Sequence, residues 1–162
     1  GLERAKKSGI ETLTIEQESF SSRAEFDSFL ASTINRFNPS LIVLAGFMRI
    51  LGNTFVKQFH GRIINIHPSL LPTYPGLNTH QRAIKDKQKV HGVTVHYVTE
   101  SLDGGPIIAH EEVPILSDDT AEALAARVLK KEHAIYPKVV NLIALGKIQM
   151  KNGEVIFDKS IL

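Results

Sequence analysis

The run Leu41-Ile42-Val43-Leu44-Ala45 is apolar on both of the faces a strand would present. Alternate side chains of a strand point to opposite sides of its sheet, so a strand with no polar face has to be covered on both sides, as central strands of parallel sheets are covered by helices. A helix-sized segment from about Asn53 to Gln58 and a second apolar run, Ile63 to His67, come next. Strand, helix, strand in that order predicts right-handed crossovers and an α/β fold with a doubly wound, mostly parallel twisted sheet. Ligands of such sheets collect beyond the strand carboxyl ends, so the loops that start at Gly46 and at His67 are expected to share one cleft.

The flanking segments fit a single domain over residues 1–162. Leu2, Ala5 and Lys6 before Ser8-Gly9 read as a closing helical turn, and the opening in mid-helix predicts further residues upstream. Residues 11–15, with Thr12, Thr14 and Ile15, favour a strand. Ser22 and Glu25 have capping-box spacing ahead of Phe26, Phe29, Leu30, Ile34 and Phe37 at helical intervals. A helix is expected from Thr79 to Lys85, strands at Gly92 to Val98 and Ile107 to Val113, and between those strands a loop that Gly104-Gly105-Pro106 keeps irregular. Asp119 and Glu122 can cap a long helix to about Leu145, interrupted near Pro137. Asn152-Gly153 marks a C-terminal hairpin.

Composition narrows the function. The chain has no Cys, which removes disulfides, thiolate nucleophiles and Cys-based metal sites, and a reducing, cytoplasmic setting is the default reading. No apolar run reaches the roughly 18 residues of a membrane span, so no membrane partner is expected. Nineteen basic and 17 acidic residues are interspersed without a long like-charge block, which argues against nucleic acid as a partner. Seven histidines invite a metal, but none shows tight ligand spacing, and no metal is expected.

If Ile63 to His67 is extended, Asn65 and His67 share a face at the end of the strand. The eleven residues that follow hold three prolines and a glycine, so this polar pair opens into a stiff loop. An amide can donate to a developing oxyanion, an imidazole can move a proton, and a carboxylate such as Asp103 can orient the imidazole and favour its charge. These are the parts of an acyl-transfer site without a covalent nucleophile. Ser69 lacks the surroundings of a nucleophile elbow and reads as a loop hydroxyl. Gly104-Gly105 precedes a strand rather than a helix, and is expected to let a ligand approach closely rather than to cradle a phosphate. Arg23 and Arg49 are candidate anion contacts, and His96 and His110 are expected to face solvent or neighbouring strands.

Several stretches together resemble the folate-dependent formyltransferases, the phosphoribosylglycinamide formyltransferase family in particular. They are Leu44 to Leu51, Ile64 to Pro72, Tyr74-Pro75-Gly76-Leu77, His91 to His96, Leu102 to Pro106 and Glu132 to Pro137. The resemblance implies a Rossmann-like formyltransferase fold and direct transfer of a formyl group from 10-formyltetrahydrofolate, the co-substrate, to the amine of glycinamide ribonucleotide in purine biosynthesis. It assigns catalysis to Asn65, His67 and Asp103. Folate binding falls to Arg23, Met48, Arg49, Ile50, Leu51, Thr99, Glu100, Ser101 and Leu102, and ribonucleotide binding to Leu129, Lys130, Lys131 and Glu132. The expected partners are these small molecules, with the protein a monomer or homodimer. The family's opening strand and Gly-rich phosphate loop have no counterpart here, so the chain is expected to be an N-terminally truncated fragment whose activity alone is in doubt. The competing readings are another folate-dependent formyl enzyme, such as formyltetrahydrofolate deformylase, and a non-catalytic folate- or nucleotide-binding module.

Overall fold

A computed structural model describes residues 1–158, which form two compact units divided between Asn38 and Pro39. In the first unit, helix α1 (Leu2–Lys7) is closed by Gly9 at φ +70°, with the Gly9 and Ile10 amides donating to the Lys6 and Ala5 carbonyls. Helix α2 (Arg23–Asn35) starts at Ser22, whose Oγ accepts the Glu25 amide at 3.2 Å. The returning half of the expected capping box is displaced by one residue: the Glu25 carboxylate accepts from the Ser21 amide and hydroxyl. Residues 11–15 form no strand, contrary to their β propensity. A strand needs a neighbour to bond to, and no described strand pairs with this segment.

The second unit carries the sheet. Its strands are β1 (Ile42–Leu44), β2 (Ile63–His67), β3 (Val90–Tyr97) and β4 (Ile107–Pro114), in spatial order β1-β2-β3-β4. The β1–β2 pair is parallel, joined through helix α3 (Asn53–Gln58), whereas β2–β3 and β3–β4 are antiparallel, so the α/β sheet is mixed. Strand β1 was expected in the middle of its sheet but lies at an edge of the described strands, with Val43 42% exposed. Helix α4 (Thr79–Lys85) precedes β3, and helix α5 (Ala121–Ala144) follows β4. The Asn152-Gly153 turn, with both residues at positive φ, joins β5 (Ile148–Lys151) to β6 (Glu154–Phe157) as the primed hairpin that dipeptide favours.

Strand alternation separates core from site. Ile64 pairs with Tyr97 and Ile66 with Val95, and Ile64, Val93, Val95 and Tyr97 pack with Leu124, Val128, Ile135 and Tyr136 of α5. On the other face Asn65 pairs with His96 and His67 with Thr94. Helix α5 is capped by Thr120, one residue after the expected Asp119, and runs through Pro137 without a break. Asp119 is taken up instead by the Leu116 amide and the guanidinium of Arg127.

The irregular segment after β2 is tied down by side chains. The Thr94 hydroxyl donates to the Ser69 carbonyl at 2.6 Å and accepts the Leu71 amide at 3.0 Å, and the Thr79 hydroxyl donates to the Pro68 carbonyl at 2.7 Å. Ser69 is fully buried, its hydroxyl donating to the Thr73 carbonyl at 2.6 Å, which agrees with its reading as a loop hydroxyl. Beneath lies a histidine pair, His91 Nε2 and His80 Nδ1 at 3.1 Å. Burial, and then the neighbouring His80, push His91 down to about 4, against the opposing pull of the Pro68 carbonyl. Burial and His67 lower His80 as well.

Gly104 and Gly105 are demanded by the chain's close approach to itself. A Cβ on Gly105 would collide with the Tyr97 carbonyl oxygen, and one on Gly104 with the Ser101 side chain, so these glycines let the loop close on its own chain. Gly105→Ala is accordingly expected to destabilise the protein by about 1–3 kcal/mol, read from denaturant unfolding. A pH dependence follows from His91. As pH falls below 6.5 the unfolded chain takes up a proton that the folded ring refuses until about 4, so stability is lost across that window. The loss attributable to His91 is on the order of 3 kcal/mol, and His91→Gln should flatten the dependence of unfolding free energy on pH there.

Candidate active site

A cleft of about 750 Å³ lies beyond the carboxyl ends of β1 and β2. Its walls are the loop from Gly46 to Leu51, the Gly76–His80 segment and the Thr99–Asp103 loop, and its polar lining includes Asn65, His67, His96 and Glu132. The loops after β1 and β2 therefore share one cleft, as strand order predicts.

His67 is 6% exposed. Its Nε2 lies 2.9 Å from the Tyr74 carbonyl and its Nδ1 3.5 Å from Asp103 Oδ2. Both ring nitrogens thus face oxygen acceptors, an arrangement that only the doubly protonated imidazole satisfies in full. Asp103 is held by the Gly76 amide, which donates to Oδ2 at 2.8 Å, and by its own backbone at φ +50°. That left-handed conformation costs a non-glycine residue roughly 1 kcal/mol, accepted at a turn that aims the carboxylate inward.

His96 faces the neighbouring strand β2, one of the two expectations for it, but its place in the site was not assigned from the sequence. It is 2% exposed and belongs to the cleft, not to solvent. Its Nδ1 lies 2.9 Å from the Tyr97 carbonyl, and its Nε2 lies 3.5 Å from Asn65 Nδ2 and 3.8 Å from Asp103 Oδ1. Burial lowers its pKa, outweighing the Tyr97 carbonyl and Asp103, which act the other way. Alternation along β3 puts Thr94 and His96 on one face, but their pairing with His67 and Asn65 requires the antiparallel register, which no local pattern carries.

Helix α5 supplies Glu132, whose burial raises its pKa against the opposing influence of His133 and His67. One turn later the Tyr136 hydroxyl reaches the carbonyls of Leu44 at 2.6 Å and Ile64 at 3.1 Å, fastening the helix to the end of β1 and the start of β2. Of the residues assigned to folate, Met48, Arg49, Ile50, Leu51, Thr99, Glu100, Ser101 and Leu102 all line the cleft, Met48 being 82% exposed. Glu100 also faces Lys57, Oε1 to Nζ at 3.6 Å. Arg23 belongs to the first unit, where its Nε lies 3.8 Å from Asp27 Oδ2. Among the four residues assigned to the ribonucleotide only Glu132 lines the cleft. Lys131 instead donates to Glu111 Oε2 at 3.1 Å, and Leu129 is 46% exposed. Among the described residues no group of three or more His, Asp or Glu side chains is arranged to hold a metal ion, and no helix is long and apolar enough to cross a membrane.

The arrangement combines an amide donor, an imidazole and a carboxylate at the floor of a cleft whose loops present apolar side chains. It can polarise a carbonyl and move a proton. Comparison with known proteins gives this chemistry a family. Residues 1–140 match the formyl transferase family model. Phosphoribosylglycinamide formyltransferase of Escherichia coli is 46% identical over 158 residues, covering 98% of this chain and 74% of that protein. The human trifunctional purine biosynthetic protein adenosine-3 is 41% identical over 160 residues, and this chain spans 16% of it. The solved phosphoribosylglycinamide formyltransferase of Coxiella burnetii superposes with a TM-score of 0.91 at 50% identity, covering 97% of this chain and 74% of that one. Glycinamide ribonucleotide transformylase 1 of Symbiobacterium toebii gives the same TM-score at 41% identity, with 96% and 74% covered. The chain belongs to the formyl transferase family, among its phosphoribosylglycinamide formyltransferases.

Proposed function

We propose that this protein transfers the formyl group of 10-formyltetrahydrofolate directly to the primary amine of glycinamide ribonucleotide, a step of purine biosynthesis. The observation that carries the reading is the convergence of Asn65, His67 and Asp103 on one cleft rimmed by residues 48–51 and 99–102. The amine attacks the formyl carbon, a C–N bond forms, and the carbonyl oxygen takes the negative charge of a tetrahedral intermediate. Asn65 donates an N–H to that oxyanion, and His67, charged beside Asp103, stabilises it. Collapse breaks the bond between the formyl carbon and N10 of the folate. The attacking nitrogen loses a proton and N10 gains one, through His67 and a water oriented by Asp103, so no proton is left over. Glu132 accepts a hydrogen bond from the ribonucleotide. The exposed apolar side chain of Met48 and the half-exposed ones of Ile50 and Leu102 suit the flat faces of a folate.

The full-length enzyme should consume 10-formyltetrahydrofolate only when glycinamide ribonucleotide is present, in a coupled absorbance assay. Steady release of formate independent of the amine would instead identify a hydrolase, and tight folate binding without turnover a binding module. His67→Ala and Asp103→Asn should each lower kcat by about 100-fold or more while KM moves only a few-fold, because both groups act as charge develops. Near-parental kcat in both variants would remove them from the mechanism.

A further inference from the structure

Two histidines flank Asp103, and the structure gives them different tasks. His67 presents both ring nitrogens to oxygen acceptors. His96 has only its Nδ1 against a carbonyl, that of Tyr97 at 2.9 Å, and a carbonyl can only accept, so this nitrogen carries the proton. The ring is sealed at 2% exposure, an environment that disfavours charge and leaves Nε2 as a bare lone pair. Facing that lone pair at 3.5 Å is the amide nitrogen of Asn65, directly across the β2–β3 pair. No other hydrogen bond holds the Asn65 side chain among the described residues. Turned over, the amide would set its oxygen against the Nε2 lone pair, two acceptors with no proton between them.

We propose that His96 is a positioning residue: through the tautomer fixed by Tyr97 it locks the Asn65 amide with nitrogen toward the ring, leaving the second N–H of that nitrogen to donate into the cleft. The inference rests on the formyl-transfer reading only for its kinetic consequence. Asp103 does not compete for Nε2. Its nearer Oδ1 is 3.8 Å away, beyond hydrogen-bonding range, and its Oδ2 is engaged by the Gly76 amide and faces His67.

The tautomer can be read directly on the unsubstituted full-length enzyme at neutral pH, by correlating ring nitrogens and carbon-bound protons in a sample with 15N-labelled histidine. The expected signature for His96 is a protonated Nδ1 and a bare Nε2. A protonated Nε2, in either the neutral or the doubly protonated ring, overturns the proposal. This readout needs no turnover, so it decides the assignment even for an enzyme that proves to transfer no formyl group. In formyl transfer, His96→Leu should lower kcat at least about tenfold with little change in folate KM, whereas His96→Gln, which can offer an acceptor near the Nε2 position, should stay within a few-fold of the parent. In an Asn65→Ala background the leucine substitution should cost less than about twofold. An equal cost in both backgrounds, or equal losses for Gln and Leu, makes His96 a packing residue and sinks the idea.

Discussion

The site depends on the register of β2 against β3. Asn65 and His67 are opposite His96 and Thr94. A slip of one residue would turn both polar side chains into the packing under α5 and send Ile64 toward the cleft, so the apolar core and the polar floor are alternatives fixed by the same hydrogen-bond ladder. That ladder is secured by packing, since Ile64, Val93 and Val95 are fully buried. Hydrophobic burial on one face therefore supplies the precision of the chemistry on the other.

The same strand also anchors the loop that follows β2. Thr94 serves two backbone groups of the segment, Ser69 and Thr79 serve others, and the Tyr74 carbonyl brought round by that loop meets His67. A stretch without regular structure must satisfy its buried backbone groups by other means, and here small hydroxyl side chains do so. The loop thereby acts as rigid scaffold for an imidazole, in contrast to the exposed side chain of Met48 on the opposite wall.

Much of this was legible in the chain because it is written locally. Ile63–His67, Asn53–Gln58 and Thr79–Lys85 carry their own periodicity and occur with the bounds expected, and the Asn152-Gly153 turn carries the chemistry of the hairpin it makes. Asn65 and His67 could be paired from strand alternation alone. What was not legible shares a cause, which is that it turns on partners distant in sequence. Residues 11–15 have strand propensity but no described strand to pair with, and Val43 is apolar yet sits on an edge strand. Gly105 answers to the Tyr97 carbonyl, and His96 becomes part of the site only through cross-strand register. Lys131 illustrates the same limit, since its helix is evident but its tie to Glu111 on β4 is not.

A backbone carbonyl oxygen at the carboxyl end of a strand lends negative potential to its surroundings, here the region where the proposed reaction develops an oxyanion. The Tyr136 hydroxyl lies within hydrogen-bonding distance of the Leu44 carbonyl at the carboxyl end of β1 and of the Ile64 carbonyl near the start of β2, and burial raises its pKa so that it stays a neutral donor. One phenolic proton shared between two carbonyl oxygens offsets part of their dipoles. A helix side chain outside the lining of the cleft thus makes the electrostatic potential beneath it less hostile to an anion.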